Sequence, residues 1–168
     1  MRPLESFLAT LHDHRGPLCT QRLDALRDAL GRLARCGSEL ERAVDLQTPD
    51  AVLFQDGEHG PRLLAHLATQ GTYLPPHDHG EAWVLYAVIS GAMAIGTWGH
   101  VPQGDGRVRL VRRSRSRVVA GDVHAFLPGD IHDTFVVTET VRMLRLTSCD
   151  VAAERAAGRM QVFENPDG

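Results

Sequence analysis

The chain has 168 residues, of which 43% are hydrophobic and 23% charged, and its formal net charge is −3. This is the composition of a globular protein with a substantial core, and the small negative charge argues against a nucleic-acid partner. No apolar run approaches the length of a membrane span and no apolar signal segment opens the chain, so we predict a cytoplasmic protein without a membrane partner.

The first 48 residues have the apolar periodicity of helices. Apolar residues recur at spacings of three and four in LESFLATLHDH and in QRLDALRDALGRLARC. Ser38 and Glu41 have the spacing of a capping box before a third helical stretch, ELERAVDL. We therefore predict that residues 1–48 form a helical segment packed on a second unit, residues 49–168.

From Ala51 onward, short apolar runs alternate with Gly, Pro and Asp. Many short strands with this spacing are typical of an antiparallel sandwich or barrel. The arginine-rich stretch RVRLVRRSRSR predicts a hairpin with its arginines in solvent, or else an anion-binding or subunit-contact patch. The predicted strands cover residues 51–55, 62–69, 82–90, 92–98, 107–112, 116–120, 123–127, 132–138 and 140–147.

Two histidines, His77 and His79, precede an apolar run in LPPHDHGEAWVLYAVISG. Residues i and i+2 of a strand project to the same side, so both imidazoles can bind one metal ion from that side. Glu81 joins that face if the extended path continues. A third ligand must come from another strand, and His132, which follows the turn PGD, is a candidate.

Two further histidines, His66 and His124, lie on predicted strands. We interpret each as a buried, hydrogen-bonded residue or as a partner that orients a metal ligand. The pair His12 and His14 lies on a helical segment, where residues i and i+2 do not face each other, so we predict no metal site there.

Two segments carry a resemblance to a known family. GTYLPPHDH (71–79), followed later by Gly91, resembles the first motif of the cupin superfamily, and GDVHAFLPGDIH (121–132) resembles the second. The resemblance implies a mainly β fold, the cupin double-stranded β-helix or jelly-roll barrel, here preceded by the N-terminal helical segment. It also leaves a homodimer open.

Within that superfamily the chain resembles the cysteine dioxygenase-type thiol dioxygenases. Cupin first motifs usually carry a glutamate four or five residues past the second histidine, and Trp83 and Val84 stand there. The resemblance implies a mononuclear non-heme Fe(II) dioxygenase that oxidises a small, acidic, thiol-bearing substrate with O₂. The metal would be held by His77, His79 and His132, with Zn, Ni and Mn as alternatives to iron.

The chain departs from that branch in two places. The late strand VRMLRLTSCD lacks the His and Tyr of the family's Ser-His-Tyr relay, and the early strand AVLFQDG lacks its substrate-binding arginine. A guanidinium elsewhere can bind a carboxylate, and the candidates are Arg62, Arg142 and Arg145, of which the last two lie on opposite faces of one strand.

The candidate catalytic residues are therefore Glu81, Arg145 and Tyr86. Trp83 and Phe135 are candidates to line the pocket with Tyr86. One alternative is a metal-dependent cupin isomerase, lyase or decarboxylase of a biosynthetic pathway, with Glu81 as fourth ligand or general base. The other is a non-catalytic cupin that binds a small molecule.

Overall fold

The computed structural model of the protein describes residues 2–43 and 50–164. The helices are α1 (Pro3–Asp13), α2 (Thr20–Arg35), α3 (Gly37–Ala43) and α4 (Val151–Ala156). The strands are β1 (Ala51–Gln55), β2 (Arg62–Thr69), β3 (Tyr73–His77), β4 (Val84–Ser90), β5 (Ala92–Pro102), β6 (Val108–Val119), β7 (Val123–Phe126), β8 (Ile131–Val136) and β9 (Thr140–Thr147). No helix within these ranges is long and apolar enough to cross a membrane.

The strands form two antiparallel sheets. The first has the order β1-β2-β9-β4-β7, and the second has the order β3-β8-β5-β6. Strand β2 pairs with β9, β3 with β8, β4 with β7 and β5 with β6, all antiparallel. This nesting of early strands with late ones is the topology of a jelly roll, so the predicted double-stranded β-helix is confirmed.

The five-stranded sheet is buried on both faces. Along β9, Val141 and Met143 belong to the core between the two sheets, whereas Leu144 and Leu146 pack with the N-terminal helices. Because side chains alternate along a strand, odd-numbered residues of β9 face the barrel interior and even-numbered ones face α1 and α2. The helices thereby cover the outside of this sheet, burying Phe7, Leu11, Leu26, Leu30 and Leu33.

The two prolines before His77 do not end the sheet as predicted. The predicted strands leave residues 70–81 outside the sheets, but Tyr73–His77 form strand β3. This strand lies at the edge of its sheet, where a proline is tolerated because one side of the strand needs no ladder hydrogen bonds.

The arginine-rich stretch forms a single strand, and the hairpin predicted for it is not present. Strand β6, with 12 residues, runs without a break alongside the 11-residue β5, with a bulge opposite Thr97 and Trp98. The segment between the two predicted strands contains no glycine, proline or asparagine that would favour a turn. Its arginines are mostly exposed on a sheet edge, where charge discourages pairing with another chain.

Helix α3 begins one residue before Ser38, so Ser38 lies inside the helix rather than at its N-cap. The predicted continuation of this helix to residue 46, and the predicted boundary between residues 48 and 49, lie outside the described residues.

Candidate metal centre

Three buried histidines from two parts of the chain meet at one end of the barrel. His77 ends β3 and His132 lies on β8, and the two are cross-strand partners. His79 lies just beyond the end of β3 and directly before the turn at Gly80, which has a φ of 63°. The exposed fractions of the three residues are 6%, 2% and 0% in the order His77, His79 and His132.

The three rings lie within contact range of one another. Ring centroids are 5.2 Å apart for His77 and His79, 4.5 Å for His77 and His132, and 5.0 Å for His79 and His132. One ring nitrogen from each lies within 4.8 Å of the other two, and no further Cys, Asp or Glu joins this group among the described residues. Phe126 stacks on the His132 ring at 3.8 Å and holds its plane.

The hydrogen bonds of these rings fit a metal ion. Neither ring nitrogen of His132 has a hydrogen-bond partner among the described residues, nor has Nδ1 of His79. A buried polar atom without a partner costs about 1–3 kcal/mol, and coordination would satisfy it. His77 Nδ1 lies 2.8 Å from the Pro75 carbonyl oxygen, so the proton donated there leaves Nε2 free to ligate. Three neutral imidazoles suit Fe, Zn, Cu or Ni.

Burial keeps these imidazoles neutral. It lowers the pKa of His79 to about 3, with His77 and Arg145 adding to the effect. Burial also lowers the pKa of His77 and holds that of His132 well below its usual range. Since only the neutral ring can ligate, a metal would not have to displace protons from these histidines near neutral pH.

A cavity of about 660 Å³ opens beside His77 and His79. Tyr86 and Arg145 line it together with apolar side chains such as Met93 and Met143. The Tyr86 hydroxyl lies 3.3 Å from His79 Nε2. Burial raises the pKa of Tyr86, while the charge of Arg145 and its hydrogen bond to the hydroxyl act in the opposite direction. Tyr86 therefore links the cationic wall of the cavity to the histidines.

The three candidate arginines lie in different surroundings. Arg145 lines the cavity, whereas Arg142 lies on the opposite, helix-facing side of β9. Arg62 forms an ion pair with Asp150 at 2.5 Å and is not among the cavity-lining residues. Of the three candidate arginines, only Arg145 lines the cavity.

Three other candidate residues lie away from the cavity. Trp83 packs in the core beneath the N-terminal helices, and Phe135 alternates with the inward-facing Thr134 and Val136, so the expectation that either lines the pocket is wrong. Glu81 follows the turn at Gly80, its side chain is exposed, and its backbone N–H donates to the Glu154 carboxylate at 3.1 Å. The extended path that would have brought Glu81 beside the histidines does not continue.

His66, predicted only to be a buried residue or to orient a metal ligand, lines the cavity. It lies on β2, where Leu63 and Ala65 pack with the N-terminal helices and Ala68 packs in the core between the sheets, so the even-numbered positions face inward. Its Nδ1 contacts the carboxylate of Asp50, and its Nε2 is buried without a hydrogen-bond partner in the part of the chain described. The inward parity of β2 was the signal that would have placed His66 in the cavity.

No protein-family model matches the chain, and no curated protein matches its sequence. Similar solved structures include the Schizosaccharomyces pombe Cnp3 cupin domain, with 12% identity over 66% of each chain and a TM-score of 0.48. An uncharacterized conserved protein with a double-stranded beta-helix domain from Klebsiella pneumoniae is 18% identical, over 69% of this chain and 79% of that one, with a TM-score of 0.46. Oxalate oxidase in complex with glycolate is 23% identical, over 54% of this chain and 42% of that one, with a TM-score of 0.42.

The chain spans less than two thirds of the length of the Cnp3 domain and of the oxalate oxidase chain. Likenesses this remote carry no argument about activity. The strand order and the histidine cluster of the chain itself define a cupin-type double-stranded β-helix with a candidate three-histidine metal site.

Proposed function

We propose that the protein is a mononuclear non-heme Fe(II) dioxygenase of the thiol dioxygenase type, acting with O₂ on a small acidic thiol. The observation that carries the proposal is the meeting of His77, His79 and His132 beside a cavity lined by Arg145. Three neutral ligands leave a divalent ion its full charge and open positions for substrate. Bound iron would supply the redox chemistry that O₂ needs.

The charges of the cavity favour an anionic substrate. Arg145 and Arg155 are the cationic lining residues, and the one carboxylate in the described lining, that of Asp50, contacts His66. No carboxylate of the described residues lies within ion-pair distance of Arg145, so its guanidinium is available to bind a substrate carboxylate in the forked geometry typical of arginine.

Apolar side chains and the Tyr86 hydroxyl complete the binding site. Met93, Met143 and Val136 exclude water from the side of the cavity next to the histidines. The Tyr86 hydroxyl, held between Arg145 and His79, can donate to an anionic atom placed near the metal ligands. These residues would orient a thiolate toward the metal while Arg145 holds its acid group.

Anaerobic reconstitution with Fe(II), followed by oxygen-electrode assays over a panel of small acidic thiols, tests the proposal. We expect thiol-dependent oxygen uptake by the iron-loaded chain, and none by the zinc-loaded chain or by His132→Ala. Absence of uptake with every thiol would contradict the thiol dioxygenase proposal. Turnover of a substrate without O₂ by the zinc-loaded chain would instead support the isomerase, lyase or decarboxylase alternative.

A further inference from the structure

We propose that His66, oriented by Asp50, is the proton acceptor of the cavity, taking the thiol proton of an anionic substrate whose acid group Arg145 binds. The proposal rests on the proposed function for its substrate class. His66 lies across the β2–β9 pair from Arg145, because Leu64 and Arg145 are register partners and His66 is the next inward-facing residue of β2. One bound molecule can therefore reach both side chains.

Asp50 gives the imidazole a defined orientation. Its carboxylate accepts the Nδ1–H of His66, which leaves the lone pair on Nε2. Nε2 is buried and has no hydrogen-bond partner among the residues described. His66 lines the cavity, and a buried hydrogen-bonding atom left unpaired costs about 1–3 kcal/mol, a cost that a ligand bound against this residue could relieve.

The backbone conformation of Asp50 also supports its role in orienting His66. Asp50 has a φ of 58° and is the one non-glycine residue with positive φ in the ranges that the structure describes. Such a conformation costs about 1–3 kcal/mol and clusters at functional sites. Here the left-handed turn delivers the carboxylate to His66 just before β1 begins.

Burial and the nearby positive charge make His66 neutral until a substrate arrives. Its pKa is lowered to about 4, mainly by burial and in addition by the charge of Arg145, while the charge and hydrogen bond of Asp50 act in the opposite direction. Arg155 of α4 is the other charged residue on this cavity wall. A substrate anion on Arg145 would offset the cationic charge that disfavours protonation, so binding itself would make His66 a better base.

The proton transfer balances without another reactant. The S–H bond of the substrate breaks and leaves its electron pair on sulfur, while the Nε2 lone pair of His66 forms a new N–H bond. Nδ1–H remains in place, and the resulting imidazolium is paired with the Asp50 carboxylate. Asp50 acts through His66 and is therefore a positioning residue.

The first test measures the tautomer of His66 by ¹⁵N NMR in the zinc-loaded full chain. Loss of one set of imidazole signals in His66→Asn assigns the residue. We expect a protonated Nδ1 and a bare Nε2 at neutral pH, and a mixed tautomer in Asp50→Asn. A protonated Nε2 in the wild type would overturn the proposal whether or not the protein oxidises thiols.

The second test counts the protons released when 3-mercaptopropionate binds to the zinc-loaded chain, by calorimetry in buffers of different ionisation enthalpy. We expect the wild type to release about one proton fewer per bound thiol than His66→Asn, because His66 retains the thiol proton. His100→Asn is the control: a strand histidine outside this cavity and away from the metal ligands, which should behave as the wild type.

Equal proton release by the wild type and His66→Asn would overturn the proposal. Failure of the thiol to bind would remove the thiol substrate class of the proposed function, and the tautomer would then decide the role of His66. In the iron-loaded enzyme, loss of a general base should lower kcat/KM by about 10²-fold or more, mainly through kcat.

Discussion

His77 and His132 are cross-strand partners on β3 and β8, and their ring centroids lie 4.5 Å apart. His132 is wholly buried, stacked on Phe126, and has no hydrogen-bond partner for either ring nitrogen among the described residues. A buried histidine with two unpaired nitrogens destabilises the fold, and this cost is explained if the side chain binds a metal ion.

We predict that His132→Phe stabilises the metal-free protein. The substitution removes two buried polar atoms that lack partners and keeps an aromatic ring against Phe126, so the free energy of unfolding should rise by about 1–3 kcal/mol. Urea titration of the chelator-treated proteins measures the change. A loss of stability relative to the wild type would show that His132 contributes to the fold without a metal.

Arg145→Gln should weaken binding of acidic substrates. A charged hydrogen bond contributes about 1.5–3 kcal/mol, so KM for an acidic thiol should rise about 10- to 100-fold. A thiol without an acid group should be affected much less. Arg142→Gln is the control, because Arg142 lies on the other face of the same strand. An equal effect of both substitutions on KM would contradict the assignment of Arg145.

Gly91→Ala should destabilise the protein more than Gly71→Ala. Both glycines have a φ near +80°, a conformation that costs other residues about 1–2 kcal/mol. A Cβ at Gly71 would meet open space, whereas one at Gly91 would collide with the carbonyl oxygen of Thr140. We expect losses of about 1 kcal/mol at Gly71 and about 3 kcal/mol or more at Gly91 in urea titrations. Equal losses would contradict the close approach of Gly91 to the backbone of Thr140 at the start of β9.

Stability of the metal-free protein should fall as the pH drops from 6.5 to 4. Burial lowers the pKa of His66 from 6.5 to about 4, so in this window the unfolded chain binds a proton that the folded chain does not. The full contribution is present above pH 6.5 and amounts to about 3 kcal/mol for His66 alone. The pKa values of the three metal-site histidines are also lowered, so their protonation would reduce stability in the same direction.

Urea titrations at pH 7.5 and pH 4.5 measure this dependence. His66→Gln, which cannot titrate, should lose less stability between the two pH values than the wild type. An unchanged pH dependence in His66→Gln would contradict the buried, neutral state of His66.

The sequence predicted the fold where hydrophobic alternation and turn residues agree. The bounds predicted for β1, β2 and β9 match the structure. Strand β3 was missed because Pro75 and Pro76 normally interrupt a strand, and only its place at a sheet edge explains them. That place is a property of the whole topology and is not visible in the local sequence.

The site was predicted in part for the same reason. Spacing made His77 and His79 candidate ligands, and the resemblance to the cupin motifs implied the full set with His132. The facing of Trp83 and Phe135, in contrast, depends on the register of their strands, and a shift of one residue reverses it. The sequence did not predict His66 as a cavity residue, because its partner Asp50 lies outside any predicted strand. The contact between them exists only in the folded chain.

The most direct test of the three-histidine site is elemental analysis of the full chain purified without an affinity tag, compared with His77→Ala, His132→Ala and, as control, His100→Ala at an exposed strand histidine. We expect about one equivalent of metal, chiefly iron, in the wild type and the control, and a large loss in the other two variants. Metal-free wild-type protein that also fails to bind added Fe(II), or full metal occupancy in both ligand variants, would contradict the account.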